Sequence, residues 1–583
     1  MSALKYLNKY LYKYRYRLIV GIFITIISRI FSLVTPRLVG DSLSVVENYI
    51  KNKSGYLADV KQELLINILL IIGATLISGV FTFLMRQLII VMSRYIEFDL
   101  KNEIFKQYER LTLNFYKKNR TGDLMNRISE DVGKVRMYFG PAIMYTINMI
   151  TLFVVVIANM LRIDASLTLY TVLPLPILSI AIYILSRVIN EKSTIVQQYL
   201  SKLTTFSQET FSGIGVIKSY GIEPQTFNEF KDLANESKQK NIDLYKVQAL
   251  FFPMMILLIG ISNLLVIYVG GMRYINGQIE TIGVIAEFII YINMLTWPVA
   301  IVGWVTSIVQ EAEASQERIN EFLKIEPEIV NTQNTKQQIN GKIEFKNVSF
   351  TYDDTNINAL RNVSFIVDDG KTLAILGKTG SGKSTIAQLI ARLYDIKEGE
   401  IYIDDILIKN HHLNHLREEI GFVPQDSFLF SDTITNNIKF GVENATKDEI
   451  ENAAKLANVH LNIIEFKNGY DTVLGERGVT LSGGQKQRVS MARALIKNPK
   501  ILILDDCLSA VDTETEEQIL QNLKTYSKGK TTIIISHRIS SVKNADKIIV
   551  LDKGKIIQEG THDELLTIHG FYKDLYDEQL HGN

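Results

Sequence analysis

The chain has 583 residues, which is too long for one compact domain and predicts two or more. Its 63 basic residues balance 62 acidic ones, and the formal charge of +1 gives no indication of a nucleic-acid partner. The single cysteine, Cys507, excludes an internal disulfide and a cysteine-rich metal site.

Long apolar runs are concentrated in residues 1–310, which predicts a membrane domain. A helix needs about 20 apolar residues to cross a hydrocarbon core of about 30 Å. Six segments are long enough, near 16–40, 64–91, 140–163, 166–189, 249–275 and 281–309. The arm before the first segment is basic and has no acidic residue, which predicts a cytoplasmic N-terminus. An even number of spans then places the C-terminus in the cytoplasm as well.

The connections between the predicted spans are long on the inner side, at 92–139 and 190–248. Both connections have the pattern of amphipathic helix with scattered basic residues. Because a helix rises about 1.5 Å per residue, a leg of twenty residues extends about 30 Å beyond the bilayer. The tips of these legs are expected near 110–130 and 205–225.

Ionisable residues inside the spans are scarce and therefore informative. Arg29, near the middle of the first span, either lines a cavity for an anionic or polar substrate or pairs with a neighbouring helix. Glu287, near the outer end of the sixth span, is expected to extend to the membrane interface.

A polar connection, 311–341, leads into a domain at 342–583 with short alternating strands. The strand 372–376 runs into residues 377–384, which fit the P-loop pattern G-x-x-x-x-G-K-[ST] and precede a helix. A buried strand at 501–504 ends at Asp505, and a third at 531–536 leads into His537. This order of elements predicts an α/β nucleotide-binding core.

Each part of the P-loop has a chemical task. Its backbone amides surround the β-phosphate, and its glycines permit close approach. Lys383 supplies a point charge to the β- and γ-phosphates, and the Ser384 hydroxyl is a ligand for Mg²⁺, together with Asp505. The ATP-binding residues predicted from this motif are Gly377, Thr379, Gly380, Ser381, Gly382, Lys383 and Ser384.

A second motif lies about a hundred residues later, in Leu481, Ser482, Gly483, Gly484 and Gln485. It is a turn of small residues that enters a helix, where free amides can bind a γ-phosphate. Together with Asp505, Gln425 and His537, the two motifs make the chain resemble an ABC (ATP-binding cassette) transporter of the exporter type.

The resemblance implies an N-terminal all-α, six-helix transmembrane domain with long intracellular helical extensions. It also implies a C-terminal α/β P-loop cassette with a helical subdomain. The loops near 110–130 and 205–225 would carry coupling helices. Residues 119–124 look like the first of these, although a helix-breaking turn without a coupling role is the alternative.

The resemblance also assigns roles to residues outside the P-loop. Thr385 would contact the α-phosphate region, Gln425 the metal and the attacking water, and Tyr352 the adenine ring. His537 would touch the γ-phosphate. The signature, 481–485, would complete the site of a second cassette. The D-loop, with Ser509 and Asp512, would cross to that cassette, and the segment 475–478 would lie near the coupling helices.

One residue departs from the family pattern. Asp506 follows Asp505, where the family usually has a glutamate that polarises the attacking water. Aspartate is one methylene shorter, and a misplacement of about 1 Å can cost about 10²-fold in rate. An intact signature beside a weakened base resembles one subunit of the heterodimeric bacterial multidrug exporters, and a homodimer remains the alternative.

The sequence therefore predicts ATP-driven export of amphiphilic or hydrophobic small molecules across a bacterial plasma membrane by one half of a dimeric transporter. ATP and Mg²⁺ are the expected cofactors. The expected partners are a second half-transporter and the lipid bilayer, with no nucleic acid. Two alternatives remain open: a lipid or glycolipid flippase, and a largely non-hydrolysing subunit that regulates its partner by binding ATP.

Overall fold

The computed structural model describes residues 3–52, 57–331, 333, 335–475, 478 and 481–581. The chain divides into two compact units. One contains Met1–Tyr108 and Gly122–Lys324, and the other contains Glu109–Thr121 and Ile325–Asn583.

The first unit is helical. Its helices, with α5 of the second unit included in chain order, are α1 (Asn8–Lys13), α2 (Arg15–Ser32), α3 (Val34–Asn52), α4 (Leu57–Arg110), α5 (Leu113–Lys118), α6 (Thr121–Asn126), α7 (Val132–Met137), α8 (Ile143–Ile163), α9 (Ala165–Val172), α10 (Pro174–Ser212), α11 (Ile214–Tyr220), α12 (Glu223–Gln248), α13 (Phe251–Ile275) and α14 (Gly283–Leu323). A 3₁₀ turn at Ala3–Leu7 and π-helical turns at Arg127–Asp131 and Tyr138–Ala142 complete it.

Five helical stretches in the described part of the chain are long and apolar enough to cross a membrane. They are Arg15–Lys51, Leu57–Arg110, Thr121–Ile163, Glu223–Ile275 and Gly283–Leu323. The predicted fourth span, 166–189, falls on α9 and α10, which are separated at Leu173. The side chains of Leu175, Leu178 and Ser179 lie outside the described residues. The count of six spans stays a prediction.

The longest helices of this unit are longer than a hydrocarbon core is thick. The 54 residues of α4 extend about 80 Å, more than twice the hydrocarbon core. With α10 at 39 residues and α12 at 26, they confirm that long helical extensions continue from the apolar segments.

Small residues permit close packing between α3 and α14. A Cβ atom added to Gly283 would lie 2.1 Å from the carbonyl oxygen of Gly40, so only glycine allows the two backbones to approach this closely. The apolar core beside this crossing contains Phe288, Tyr291 and Ile292 of α14, all fully buried.

Arg29 and Glu287, two of the ionisable residues in the predicted spans, are both engaged inside this unit. Arg29 donates from Nε to the side-chain oxygen of Asn148 on α8 at 2.5 Å, which favours the helix-pairing alternative. Glu287 is 7% exposed and accepts a hydrogen bond from Tyr291, whose hydroxyl accepts one from Asn159. The expectation that Glu287 extends to the membrane interface was wrong, because its polar partners lie within the bundle.

The last helix of the unit extends beyond the end of the transmembrane domain that hydropathy predicted, at residue 310. α14 continues to Leu323, whereas the predicted linker starts at 311. Residues 311–323 are rich in charged side chains, so the apolar signal stops while the helix continues. The second unit resumes at Ile325 and reaches its first strand at Ile343.

The second unit contains two sheets. The strands are β1 (Ile343–Thr351), β2 (Asn358–Val367), β3 (Thr372–Gly377), β4 (Glu398–Ile403), β5 (Ile406–Leu407), β6 (Ile420–Val423), β7 (Ile501–Asp505), β8 (Thr531–Ile535), β9 (Lys547–Asp552) and β10 (Lys555–Gly560). An antiparallel sheet has the order β2-β1-β4-β5. The larger sheet has the order β10-β9-β3-β8-β7-β6 and is parallel except for β10.

Ten helices accompany the sheets in the described residues, besides α5 and short 3₁₀ turns. They are α15 (Lys383–Ile390), α16 (Leu413–Glu418), α17 (Ile434–Ile438), α18 (Lys447–Leu456), α19 (His460–Ile464), α20 (Gly483–Leu495), α21 (Thr513–Tyr526), α22 (Ile539–Val542), α23 (His562–Thr567) and α24 (Phe571–His581). One apolar core lies between the two sheets and α15, and another joins α17–α21 to β7. These cores confirm the predicted α/β cassette with a helical subdomain.

Candidate active site

Three adjacent parallel strands end at the same edge of the larger sheet. Ile375 of β3 pairs with Ile535 of β8, which in turn pairs with Asp505 of β7. The P-loop follows β3, and His537 comes two residues after β8. Open α/β sheets bind ligands at the carboxyl ends of their strands, so this edge is the expected place for a nucleotide.

A cleft of about 230 Å³ opens at this edge. It brings together residues that the sequence predicted from separate motifs. Its lining consists of Tyr352, Ile357, Ala359, Thr379, Gly380, Ser381, Gly382, Lys383, Ser384, Thr385, Gln425, Asp505, Asp506, Ile535 and His537. Among the predicted residues that the structure describes, Gly377, the signature and the D-loop are not part of this lining.

The P-loop is wrapped tightly around the start of α15. Gly382 has φ of 104°, and a Cβ atom there would lie 2.3 Å from the carbonyl oxygen of Ala359. Lys383 donates from Nζ to the carbonyl oxygens of Gly377 at 2.8 Å and Lys378 at 2.9 Å. Helix amides, a lysine and a backbone that approaches closely form a cradle of the kind that holds phosphates.

Oxygen ligands for a hard cation lie beside this cradle. The Ser384 hydroxyl donates to Asp505 Oδ1 at 3.0 Å. Mg²⁺ prefers oxygen and is commonly held by one or two carboxylates together with substrate phosphates. The described residues contain no group of three or more His, Cys, Asp or Glu side chains that could hold a metal by themselves. The donor set therefore fits Mg²⁺ bound with a nucleotide.

Asp506 occupies an unusual backbone conformation. Its φ of 46° lies in the left-handed region, where aspartate is tolerated better than most residues. Its amide donates to the carbonyl oxygen of Ile535 at 2.9 Å, and Gln425 Nε2 donates to its Oδ2 at 3.3 Å. Burial raises the pKa of Asp506, and that increase is opposed by the charges of His537, when its imidazole is protonated, and of Lys383.

The electrostatics of the other cleft residues follow from burial. Burial lowers the pKa of Lys383, while the carboxylates of Asp506 and Asp505 act in the opposite direction. Burial, and then the charge of Lys383, lower the pKa of His537 below its ordinary 6.5. The His537 imidazole is therefore neutral near pH 7 and can act as a hydrogen-bond donor.

Tyr352 combines packing with a place at the cleft. Its hydroxyl is hydrogen-bonded to Thr385 Oγ1 at 3.0 Å and donates to Gln388 Oε1 at 3.2 Å. Its ring meets Phe350 edge to face, and the Lys117 ammonium lies 4.3 Å from the ring centroid. Lys117 belongs to α5, which places a segment from the first long loop against this ring.

The signature forms the start of α20. Ser482 is the N-cap, and its side chain accepts from the amide of Gln485, whose side chain accepts from the amide of Ser482. The capping box uses these two amides and leaves those of Gly483 and Gly484 at the helix N-terminus. This confirms the predicted helix start. Glu476 and Arg477, in the preceding segment, lie outside the described residues.

The D-loop connects the signature helix with the cleft. Gln487 of α20 donates to Ser509 Oγ at 3.3 Å and accepts from the amide of Ala510 at 3.2 Å. The Ser509 hydroxyl donates to the carbonyl oxygen of Asp506 at 2.9 Å, and Asp512 is the N-cap of α21. The backbone of Asp506 is thus linked to the signature helix.

Sequence reasoning missed residues that carry no motif, two of them in the cleft lining and one behind Tyr352. Ile357 and Ala359 form an apolar wall beside Tyr352, and Gln388 orients the Tyr352 hydroxyl. Gln388 lies one turn after Ser384 on α15, and this helical spacing is a signal that could have identified it. Nothing comparable marks Ile357 or Ala359.

Two family models match the chain. The ABC transporter transmembrane region matches residues 18–299, and the ABC transporter model matches residues 360–509. The chain is 38% identical over 517 residues to the multidrug resistance-like ATP-binding protein MdlA of Escherichia coli (strain K12), covering 88% of each chain. The chain belongs to the ABC transporters.

Two further relatives extend the comparison. The ATP-dependent lipid A-core flippase of Syntrophus aciditrophicus (strain SB) is 35% identical over 515 residues, covering 88% of this chain and 85% of the flippase. The solved structure of a bacterial Atm1-family ABC exporter with ATP bound superposes with a TM-score of 0.78 at 27% identity, covering 97% of this chain and 98% of that one.

These relatives confirm the architecture predicted from the motifs. The chain is an ABC transporter with a transmembrane region fused to an ATP-binding domain, homologous to exporter half-transporters. It is an ATPase coupled to transport, it binds ATP, and it acts in a membrane as part of a dimer, as ABC exporters do.

Proposed function

We propose that this chain is one half of a dimeric exporter that moves amphiphilic or hydrophobic small molecules out across the bacterial plasma membrane by alternating access. The cleft at the ends of β3, β7 and β8 carries the proposal. There the P-loop, both aspartates, Gln425 and His537 converge in a chain whose other unit contains long apolar helices. Both termini lie in the cytoplasm, where ATP is available.

The chemistry of the cleft follows from its side chains. Lys383 and the P-loop amides bind the β- and γ-phosphates, and Thr385 lies toward the α-phosphate. The adenine ring stacks on Tyr352 beside Ile357 and Ala359. Ser384, Asp505 and Gln425 hold Mg²⁺, which when bound neutralises charge on the β- and γ-phosphates. His537 donates a hydrogen bond to the γ-phosphate as charge develops.

Asp506 is the residue that polarises the attacking water, and hydrolysis through it is slow. Its carboxylate is held by Gln425 and starts from a backbone in the left-handed region, one methylene further from the γ-phosphate than a glutamate carboxylate. ATP binding depends on Lys383, Ser384 and Asp505 and is retained. We infer a site that binds ATP well and hydrolyses it slowly.

The separation of the signature from the cleft supports a composite site. In the part of the chain that the structure describes, the helix N-terminus at Gly483 does not line the cleft of its own cassette. Its free amides then serve the ATP of a second cassette, and the D-loop residues Ser509 and Asp512 lie at that junction. A heterodimer, with a glutamate-bearing partner that carries an altered signature, is favoured over a homodimer.

Coupling between ATP and transport uses the two long loops. Lys117 of α5 lies over the ring of Tyr352, so this loop contacts the adenine side of the cassette. Residues 119–124 follow directly, and α6 starts at Thr121. At the tip of the second loop, α11 lies between the long helices α10 and α12. Cassette closure moves both loops and reverses the access of the cavity.

A cavity between α10 and α14 supports an amphiphilic substrate. It has a volume of about 340 Å³ and combines an apolar wall, formed by Ile182, Val299 and Val302, with polar groups of Arg187 and Gln310. The apolar side of the cavity can bind the hydrocarbon part of an amphiphile, and the polar groups can bind its polar head. Because a relative is named a lipid A-core flippase, a lipid or glycolipid remains the second candidate.

A transport assay distinguishes these candidates. The dimer is reconstituted into vesicles with its cassettes outward, and MgATP-dependent uptake of a fluorescent amphiphile is compared with translocation of a fluorescent phospholipid. We expect uptake of the amphiphile. Movement of the phospholipid alone would identify a flippase. A chain that hydrolyses little ATP itself but stimulates hydrolysis by its partner when it binds ATP would identify a regulatory subunit.

A further inference from the structure

One glutamine near the C-terminus holds the backbone on both sides of the cleft histidine. Gln579 lies on α24, some forty residues after His537 in the sequence. Its Nε2 donates to the carbonyl oxygen of His537 at 2.9 Å, and its Oε1 accepts from the amide of Ile539 at 2.9 Å. A single planar amide thus satisfies one acceptor and one donor of the segment that presents the imidazole.

The helix that carries Gln579 is firmly anchored. Tyr572, the second residue of α24, is fully buried in an apolar cluster with residues of β3 and β9. The Tyr572 amide donates to Gln558 Oε1 at 3.0 Å, and its hydroxyl is hydrogen-bonded to His562 Nδ1 at 2.6 Å. A side chain on such a support has few alternative positions, so it can fix the group that it binds.

The neighbours of His537 are held from the opposite direction. The Arg538 amide donates to Ser536 Oγ at 3.0 Å. Its guanidinium pairs with the buried Glu516 and donates to the carbonyl oxygen of Ser509 in the D-loop. The histidine backbone therefore lies between two supports, one from the D-loop side and one from α24.

We propose that Gln579 is a positioning residue for hydrolysis, which sets the place of the His537 imidazole over the γ-phosphate. The inference rests on the proposed role of His537. Because a misplacement of about 1 Å can cost about 10²-fold in rate, a group that removes this freedom has a large effect on kcat. ATP binding, which depends on the P-loop, is left unchanged. Through this contact, α24 controls the histidine from outside the cleft.

Gln579→Met tests the proposal in the dimeric full-length transporter. Methionine keeps the length of the side chain and removes both hydrogen bonds. Single-turnover hydrolysis of radiolabelled ATP is expected to slow about tenfold, while KM for ATP changes less than twofold. Glu578→Met, at an exposed neighbour on the same helix, is the matched control and is expected to hydrolyse ATP at the unaltered rate.

A double variant separates positioning from a structural role. If Gln579 acts through His537, Gln579→Met adds nothing to His537→Ala. A further tenfold loss in the double variant would show a merely structural role and overturn the proposal. The proposal would also be overturned if Gln579→Met kept the kcat of the unaltered chain while His537→Ala hydrolysed ATP slowly. If His537→Ala itself hydrolyses at the normal rate, the proposed role of the histidine fails, and the inference fails with it.

Gln579→Glu provides a second test should Gln579→Met not fold. Glutamate keeps the acceptor for Ile539 but places a carboxylate against the carbonyl oxygen of His537. Slower hydrolysis with unaltered KM is again expected. A rate equal to that of the unaltered chain would contradict the proposal, because the donor to His537 is lost in this variant.

Discussion

Asp506→Glu is expected to raise the rate of ATP hydrolysis by about 10- to 100-fold with little change in the affinity for ATP. The added methylene moves the carboxylate toward the γ-phosphate, and a placement error of about 1 Å accounts for a factor of about 10². The longer glutamate side chain also changes the hydrogen bond that Gln425 now donates to the Asp506 carboxylate. The measurement is steady-state kcat and KM of the dimer in nanodiscs.

The matched control is Asp506→Asn, which keeps the shape of the side chain and removes the base. Its kcat should fall to background while ATP still binds. Because burial raises the pKa of Asp506, the rate of the unaltered chain should fall as the pH is lowered through that raised value, where the base becomes protonated. Equal rates for the aspartate, glutamate and asparagine forms would contradict a role for Asp506 as the base.

Lys383→Ala is expected to abolish both hydrolysis at this site and transport. The ammonium group lies inside the P-loop on the carbonyl oxygens of Gly377 and Lys378, beside the carboxylates of Asp505 and Asp506. Removal of one preorganised group that stabilises transition-state charge costs about 10²- to 10³-fold in kcat, and a cation on a transferring phosphoryl group is such a group. Single-turnover hydrolysis and vesicle uptake are the measurements.

Lys378→Ala is the control, since Lys378 lies in the same loop but its side chain is exposed. It should retain binding and hydrolysis, because only its backbone carbonyl contacts Lys383. If transport by the Lys383→Ala variant continues at the normal rate, the subunit does not need its own ATP site. The passive regulatory alternative would then replace the proposed one.

The parts that the sequence predicted are those encoded by contiguous motifs. The P-loop between β3 and α15, Asp505 at the end of β7 and the helix start at Ser482 all depend on local patterns. Parallel strands that end at one edge then bring such motifs together without further information. The aspartate at position 506 is visible in the sequence, but its left-handed backbone is not.

Most of the parts that sequence reasoning missed depend on contacts between distant residues. Hydropathy placed Glu287 at the interface because it does not register that Tyr291 donates to this carboxylate, or that Asn159 on α8 donates to the Tyr291 hydroxyl inside the bundle. The end of α14 was missed for a different, local reason: the apolar pattern stops near residue 310, whereas charged residues continue a helix as readily as apolar ones. Gln579 meets His537 only after α24 has docked on the sheet.

If ATP is enclosed between two subunits, hydrolysis depends on how many subunits each particle contains. Nanodiscs that hold a single copy of the chain are separated from discs that hold two half-transporters, either two copies or this chain with its partner. ATPase activity per chain is then measured at saturating MgATP. We expect hydrolysis in two-subunit discs and none above background in single-copy discs. Equal rates per chain in both would contradict the enclosure of ATP between two subunits.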